Sequence, residues 1–141
     1  MIEVVNRQRY KKLDLKPWPT FAEKALAMIG KDRYTATIAF VSNRQMRALN
    51  KRFRGLGKTT DVLSFPTAAE GLPDSSDLNL GDIAISLEQA EDQARAAGLK
   101  LDQEIAQLIL HGLLHLCGYD HSTDNGEMNR LELRLRRKLG I

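Results

Sequence analysis

The feature that most constrains this chain is a long apolar segment with the period of a helix. Between residues 102 and 116, large apolar side chains recur every three or four positions, as on one face of an α-helix. These positions are Ile105, Leu108, Ile109, Leu113 and Leu116. The segment is apolar enough to be largely buried, and Gly118 supplies a stop signal. We therefore expect a buried helix in the C-terminal half of the chain.

Shorter patterns predict four strands and four further helices around this helix. Stretches rich in β-branched, aromatic or alternating apolar residues predict strands at 2–5, 34–41, 61–65 and 80–86. Capping-box spacings predict helix starts at Thr20 with Glu23, at Ser42 with Gln45, and at Ser86 with Gln89. The first of these helices covers 20–29 and the third ends at Gly98. The second has Met46, Leu49 and Phe53 as its apolar residues, and a last helix begins near Asp124.

The resulting order, β-α-β-α-β-β-α-α-α, predicts an α+β fold. A small mixed sheet of about four strands is expected to pack against about five helices, with the strand pairing left open. The turn-rich stretch 67–79, which contains Pro73, is predicted to be a loop rather than a domain boundary. We expect residues 1–141 to form a single domain.

Composition narrows the class of protein. The 141 residues are 43% hydrophobic and 28% charged, as in globular domains. The single cysteine, Cys117, excludes an intramolecular disulfide and a thiolate-rich zinc site, and it is expected in the core. No segment has the features of a signal peptide or the length of a membrane span. These observations predict a cytoplasmic protein without a membrane association.

Charge is distributed unevenly along the chain. Residues 1–60 are strongly basic, 61–129 are strongly acidic and 130–141 are basic again, although the net charge is only +3. This pattern suits a polyanionic partner, since Lys and Arg bind phosphates. Solvated surfaces that neutralise each other would give the same pattern, so charge does not decide the function.

All three histidines lie within residues 111–121, HGLLHLCGYDH. His111 and His115 are four residues apart, so both imidazoles project from one face of the predicted helix. A bend at Gly118 can bring His121 towards them as a third ligand. Three nitrogens leave a fourth position open, which in a catalytic zinc site holds water with a pKa of about 7. The alternative is one hydrogen-bonded core histidine with the others on the surface.

The histidine spacing is also that of the metzincin proteases, H-E-x-x-H-x-x-G-x-x-H. Gly112 stands where those enzymes have the glutamate that takes the proton from zinc-bound water. This substitution argues against peptide hydrolysis. A metalloprotease with a displaced base, such as Asp120, remains one alternative function.

Three segments together resemble the YbeY family of bacterial rRNA maturation factors. Residues 111–121 are similar to its H-G-x-L-H-L-x-G-Y-D-H signature. Residues 54–66, RGLGKTTDVLSFP, resemble its R-G-x-D-x-P-T-D-V-L-S-F-P segment, and 80–86, LGDIAIS, resemble its L-G-D-I-x-I-S strand. Gly57 and Thr59 depart from this pattern, where the family usually has Asp and Pro.

The resemblance implies a zinc-dependent endoribonuclease that cleaves single-stranded RNA in maturation of the 16S rRNA 3′ end and in ribosome quality control. His111, His115 and His121 would hold one Zn²⁺, although nickel or another first-row ion also suits three imidazoles. His115 and Arg54 would be catalytic, with the Arg54 guanidinium gripping a phosphate through paired hydrogen bonds. Expected partners are the small ribosomal subunit, a small-subunit ribosomal protein and an Era-type GTPase. The general base and the oligomeric state stay open.

Other polar residues carry weaker expectations. Asp120 could orient a ligand imidazole or could cap the turn before His121. Asp61 and Asp82 are read as turn residues. An RNA-backbone surface is predicted from the cations of the second helix and the loop after it: Arg44, Arg47, Lys51, Arg52 and Lys58. A ribosome-assembly binding module with a structural zinc is the remaining alternative.

Overall fold

The computed structural model describes residues 1–67 and 78–141. They form, in chain order, β1 (Ile2–Asn6), α1 (Pro17–Ile29), β2 (Thr35–Val41), α2 (Asn43–Arg54), β3 (Val62–Pro66), β4 (Asn79–Ser86), α3 (Leu87–Ala97), α4 (Leu101–Leu116) and α5 (Glu127–Leu139). The predicted element order and the α+β class are confirmed. Most of the loop predicted at 67–79 lies outside the described residues.

The four strands form one mixed sheet with the order β1-β2-β4-β3. β1, β2 and β4 run parallel, and β3 runs antiparallel to β4. Ile38 lies opposite Ile83 between the two central strands, and Leu63 lies opposite Ala84 at the antiparallel edge. β3 and β4 are consecutive strands and pair with each other. Since β4 lies between β2 and β3, β3 forms one edge of the sheet.

The sheet separates two apolar clusters of unequal size, because successive side chains of a strand point to opposite faces. The large cluster joins Ile38, Phe40, Ile83 and Ile85 to buried residues of α1, α3, α4 and α5. The small cluster lies on the other face beneath α2. It consists of Val41, Met46, Leu63 and Ala84, with Ala39, Leu49 and Phe65 packed against it.

Helix α4 is the central element of the large cluster, as its apolar pattern predicts. Leu110, Leu113 and Leu114 are completely buried. At Gly112 the helix comes so close to β4 that a Cβ atom would lie 3.0 Å from two side-chain carbons of Ile83. The Ser64 hydroxyl donates a hydrogen bond to the Gly112 carbonyl at 3.2 Å. A side chain at position 112 would therefore require Ile83 or α4 to shift by a few tenths of an ångström.

Two capping predictions are confirmed. The Ser42 hydroxyl accepts from the Gln45 backbone N–H at 3.2 Å, and the Gln45 side chain accepts from the Ser42 N–H at 2.8 Å. The Ser86 hydroxyl likewise accepts from the Gln89 N–H, and Gly98 ends α3.

Three expectations about the helices are wrong. Helix α1 begins at Pro17 instead of residue 20, because proline is well tolerated in a first turn that needs no N–H donor. Helix α5 begins at Glu127, and the Asp124 carboxylate accepts from the Met128 N–H ahead of it. Phe53 does not join Met46 and Leu49 in the core, since its side chain is 58% exposed.

The structure also addresses membrane association. Within residues 1–67 and 78–141, none of the helices combines the length and the apolar content that spanning a membrane would require.

Candidate active site

The three histidines meet at the C-terminal end of α4. The His111 and His115 Nε2 atoms are 3.1 Å apart, and the ring centroids are 4.6 Å apart. The His121 ring lies 5.9 Å from that of His111 and 5.6 Å from that of His115. One ligand nitrogen from each ring can be chosen so that all lie within 4.8 Å of one another. The predicted histidine cluster is therefore present in the fold.

The bend at Gly118 brings His121 back to the helix. Gly118 has a φ of +95°, a left-handed conformation that favours glycine. Its N–H donates to the His115 carbonyl at 3.0 Å, and the Tyr119 N–H donates to the Leu114 carbonyl at 3.1 Å. These bonds close the last turn of α4 and reverse the chain direction within three residues of His121.

Two roles were expected for Asp120: orienting a ligand imidazole or capping the turn before His121. Its hydrogen bonds are those of a turn cap. Its Oδ1 accepts from the Ser122 N–H at 3.0 Å and from the Ser122 hydroxyl at 2.6 Å. These hydrogen bonds lower the pKa of the Asp120 carboxyl. The carboxylate thus stabilises the segment that carries His121.

A different carboxylate hydrogen-bonds a histidine of the cluster. His111 Nδ1 lies 2.6 Å from Glu132 Oε1, and Arg136 donates to Glu132 Oε2 at 3.1 Å. With its Nδ1–H donated to Glu132, the His111 ring presents its Nε2 lone pair towards His115. Glu132 was missed in the sequence, although it lies among Met128, Leu131 and Leu135 on the apolar face of α5. A carboxylate on the apolar face of a helix needs a buried partner, so its position could have indicated a contact of this kind.

The surroundings of His115 and Glu132 shift the pKa values of both side chains downwards. Burial lowers the pKa of His115, and the neighbouring His111 and His121 lower it further, which favours the neutral imidazole. Burial by itself would raise the pKa of Glu132. The hydrogen bond to His111 and the charges of His111 and Arg136 outweigh that effect and lower it, so this carboxyl stays ionised.

The donor set fits a divalent metal ion. In a tetrahedral zinc site with Zn–N distances of about 2.0–2.1 Å, two ligand nitrogens are about 3.4 Å apart, close to the 3.1 Å between the His111 and His115 Nε2 atoms. Two neutral imidazoles that aim their lone pairs at each other repel unless a proton or a cation lies between them. The hydrogen-bonded carboxylate behind His111 is also typical of metal-binding histidines.

The histidines open into a cleft of about 610 Å³. One wall consists of the three histidines and residues 118–120, and the other is formed by β3, Thr60 and Asp61. Arg54, the last residue of α2, also lines the cleft. The structure therefore brings the predicted catalytic arginine to the same space as the predicted metal ligands.

The five other predicted RNA-binding cations lie elsewhere. Arg44, Arg47, Lys51, Arg52 and Lys58 are exposed on α2 and the loop after it, and they do not line the cleft as it is formed by the described residues. Within residues 1–67 and 78–141, none of them forms an ion pair. Four of them, like Arg54, belong to α2, and Lys58 lies in the loop that follows it.

The loop between α2 and β3 is held by side chains of α2. Buried Asn50 donates through Nδ2 to the Lys58 carbonyl at 2.9 Å. The Thr59 hydroxyl donates to Asn43 Oδ1 at 3.2 Å. A proline, usual at position 59 in the YbeY pattern, could not make this bond, so the departure at Thr59 leaves the loop anchored by a different contact.

Asp61, expected only as a turn residue, also lines the cleft and joins a hydrogen-bond network. Its Oδ1 accepts from the Val62 N–H at 2.8 Å, and its side chain lines the cleft. With its amide nitrogen facing the two acids, Gln93 donates to Asp61 Oδ2 at 3.1 Å and to Glu104 Oε1 at 2.9 Å. Burial raises the pKa of Glu104, and the charge of Asp61 raises it further. This network ties the cleft wall to α3 and α4.

A cleft lined by three clustered imidazoles and an arginine is an arrangement typical of metal-dependent hydrolases. Comparison with known proteins gives the family. The model of the family described as "Endoribonuclease YbeY" matches residues 3–140. The chain belongs to the YbeY endoribonuclease family.

Individual relatives agree with this assignment. An endoribonuclease YbeY of Koribacter versatilis is 46% identical over 86% of this chain and 73% of its own length. One from Campylobacter fetus is 40% identical over 88% of this chain and 87% of its own. A protein of Thermotoga maritima with a known solution structure superposes with a TM-score of 0.66 at 25% identity, over 99% of this chain and 89% of that one.

Proposed function

We propose that this chain is a zinc-dependent endoribonuclease that cleaves single-stranded rRNA during maturation of the 16S 3′ end and in ribosome quality control. The observation that carries the proposal is the meeting of the three imidazoles and Arg54 in one open cleft. We further propose that residues 1–141 act as one domain in the cytoplasm, where rRNA is processed.

In this proposal His111, His115 and His121 hold the ion. A bound Zn²⁺ would supply a Lewis acid that polarises a phosphoryl oxygen and a water of lowered pKa. The Nε2 of His115 faces the cleft beside that of His111, and its lowered pKa keeps it available as a ligand. Nickel or another first-row ion would satisfy the same donors.

Arg54 would bind the phosphate that reacts. An exposed guanidinium at the end of α2 can donate two parallel hydrogen bonds to a phosphate. As negative charge develops on the equatorial oxygens, those bonds strengthen and lower the barrier. Asp61 and Ser64 also line the cleft and are polar groups that could contact the bound strand there.

The exposed cations of α2 would bind the RNA backbone outside the cleft. Because phosphate contacts release counterions, affinity for single-stranded RNA should fall as salt rises, with a slope of about 0.7 per contact on logarithmic axes. Removing Arg47 and Lys51 should reduce that slope by about 1.4. The small subunit, one of its proteins and an Era-type GTPase are the proposed partners.

A metal assay and a cleavage assay on a 16S precursor test the proposal together. His115→Ala should lose both the metal and cleavage. Arg54→Ala should keep the metal and lose cleavage by about 100-fold or more. Arg33→Ala, which removes an exposed cation outside the cleft, is the control and should do neither.

Two outcomes would contradict the proposal. If chelation unfolds the domain and the metal-loaded protein never cuts RNA, the zinc is structural and the chain is a binding module. If the protein hydrolyses peptides and a chelator stops it, the chain is a metalloprotease. Such a protease would need a base from elsewhere in the cleft, since Gly112 has no side chain that can take a proton.

A further inference from the structure

Phe53 is the most exposed aromatic side chain of the described residues. It lies one residue before the end of α2, and 58% of its side chain is exposed. Single exposed apolar residues are common and need no explanation by themselves. The contacts around this ring are what distinguish it.

The ring has a firm support. Its centroid lies 5.0 Å from that of Phe65, with an angle of 63° between the planes. Phe65 in turn packs against the small cluster beneath α2. Because the helix and this edge contact restrain the ring, a planar ligand could stack on it at little cost in side-chain entropy.

The surroundings of the ring are cationic. The Arg52 guanidinium carbon lies 5.4 Å from the Phe53 centroid. Helix α2 has the sequence NRQMRALNKRFR, with cations on both sides of the phenylalanine and no acidic residue. An apolar protein surface would gain little from these charges, whereas a polyanion with aromatic groups would use both the charges and the ring.

Neither Phe53 nor Phe65 lines the cleft formed by the described residues, but each is followed in the chain by a residue that does. Arg54 follows Phe53, and Pro66 follows Phe65; both Arg54 and Pro66 line the cleft. Consecutive Cα atoms are about 3.8 Å apart, less than the length of one nucleotide. A base that neighbours a phosphate bound by Arg54 can therefore reach the Phe53 ring, which lies outside the cleft.

We propose that Phe53 is a stacking platform for a nucleobase next to the scissile phosphate, with Arg52 able to cover the base or its phosphate. This inference rests on the proposed function and adds a base-binding subsite to it. Stacking accepts any base, so the subsite selects unpaired RNA over duplex without reading its sequence.

Two variants separate the π-face of Phe53 from its apolar bulk. Phe53→Leu keeps an apolar contact with Phe65 but removes the stacking face, and Phe53→Trp enlarges that face. For a single-stranded RNA oligonucleotide, Phe53→Leu should raise Kd and KM about 5- to 100-fold. Its kcat, metal content and Tm should stay near the wild-type values. Met28→Ala, at an exposed apolar position on α1, is the matched control and should change none of these.

A scan with abasic nucleotides locates the base. Replacing one base at a time should reveal one position, next to the cut, where wild-type protein loses affinity and Phe53→Leu loses none. RNA that stacks on Phe53→Trp should quench its fluorescence, while buried Trp18 gives a constant background. Equal RNA affinity of Phe53→Leu and wild type, or equal abasic penalties at every position in both, would overturn the platform.

Failure of the stacking platform can be distinguished from failure of the proposed nuclease function. If wild-type protein cuts no RNA, the nuclease proposal fails, and the binding and abasic measurements still decide the platform. If wild-type protein cuts RNA and Phe53→Leu does so with an unchanged KM, the platform alone fails.

Discussion

The two faces of the sheet differ in depth and in chemistry. One face carries four helices over the large cluster, and its central helix α4 holds two of the histidines. Among the described residues, the other face carries α2 as its one helix, over a cluster of four buried residues, and presents Arg54, Phe53 and the exposed cations. Under the proposed function this difference would be a division of labour, in which the deep face holds the metal ligands and the shallow face contacts the flexible substrate.

The largest expected effect comes from matched leucine truncations on the two faces. Leu26 is almost completely buried in the large cluster, whereas Leu49 is half-buried against the small one. Leu26→Ala should lower the free energy of unfolding by about 2–5 kcal/mol. Leu49→Ala should lower it by about 1 kcal/mol, because less apolar area is lost. Urea denaturation measures both.

The same two variants test whether RNA binding and metal binding depend on different faces of the sheet. Leu49→Ala should weaken RNA binding while metal affinity stays unchanged, since α2 carries no metal ligand. Equal losses of stability in the two variants, or a loss of metal in Leu49→Ala, would break the contrast between the faces.

The next effect concerns Glu132, the carboxylate behind the proposed metal ligand His111 on the deep face. Glu132→Ala should lower zinc affinity about 10- to 100-fold, because the His111 ring loses the partner that orients it. Competition with a chromophoric chelator measures the affinity. Glu23→Ala removes an exposed carboxylate from α1 and should leave the affinity unchanged. Unaltered zinc affinity in Glu132→Ala would mean that packing alone orients the ring.

A smaller effect is expected at the start of α2. Ser42→Ala removes one half of the capping box and should cost about 1 kcal/mol. If the shallow face opens separately from the rest, hydrogen exchange should quicken in α2 and stay unchanged in α4. Faster exchange throughout the protein would show instead that both faces unfold together.

The smallest effect is a pH dependence at the edge of the deep face. Glu104 is buried near Asp61, Arg136 and Gln93, and burial with the charge of Asp61 raises its pKa. The stability linked to its protonation is present below the ordinary pKa and is lost as pH rises through the raised value. Glu104→Gln should therefore match wild type near pH 4 and have a higher Tm at pH 7.

A neighbouring acid provides the control for this prediction. Asp102→Asn changes an exposed carboxyl in the first turn of α4, where a negative charge favours the helix dipole. It should show no gain in Tm as pH rises. A gain in Asp102→Asn that equals that of Glu104→Gln would trace the effect to net charge rather than to burial.

Local rules in the sequence predicted much of this fold. The Ser42–Gln45 capping box, the period of α4 and the spacing of His111 and His115 each depend on residues within one or two helical turns. The strand order depends on contacts between distant segments, so β4 could not be placed between β2 and β3. The same limit applies to Glu132, whose partner His111 is 21 residues away. Phe53 had the right periodicity for burial, but it lies at the rim of the small cluster, where it contacts Phe65 and stays exposed.

The bond between His111 and Glu132 also has a consequence for synthesis. The carboxylate follows the imidazole by 21 residues in the chain, so all three histidines are translated before it. If the histidines hold an ion as proposed, a nascent chain that has not yet formed α5 would hold it through rings that lack this anchor. Docking of α5 would then strengthen the hold on the ion, which would couple cofactor retention to formation of the C-terminal helix.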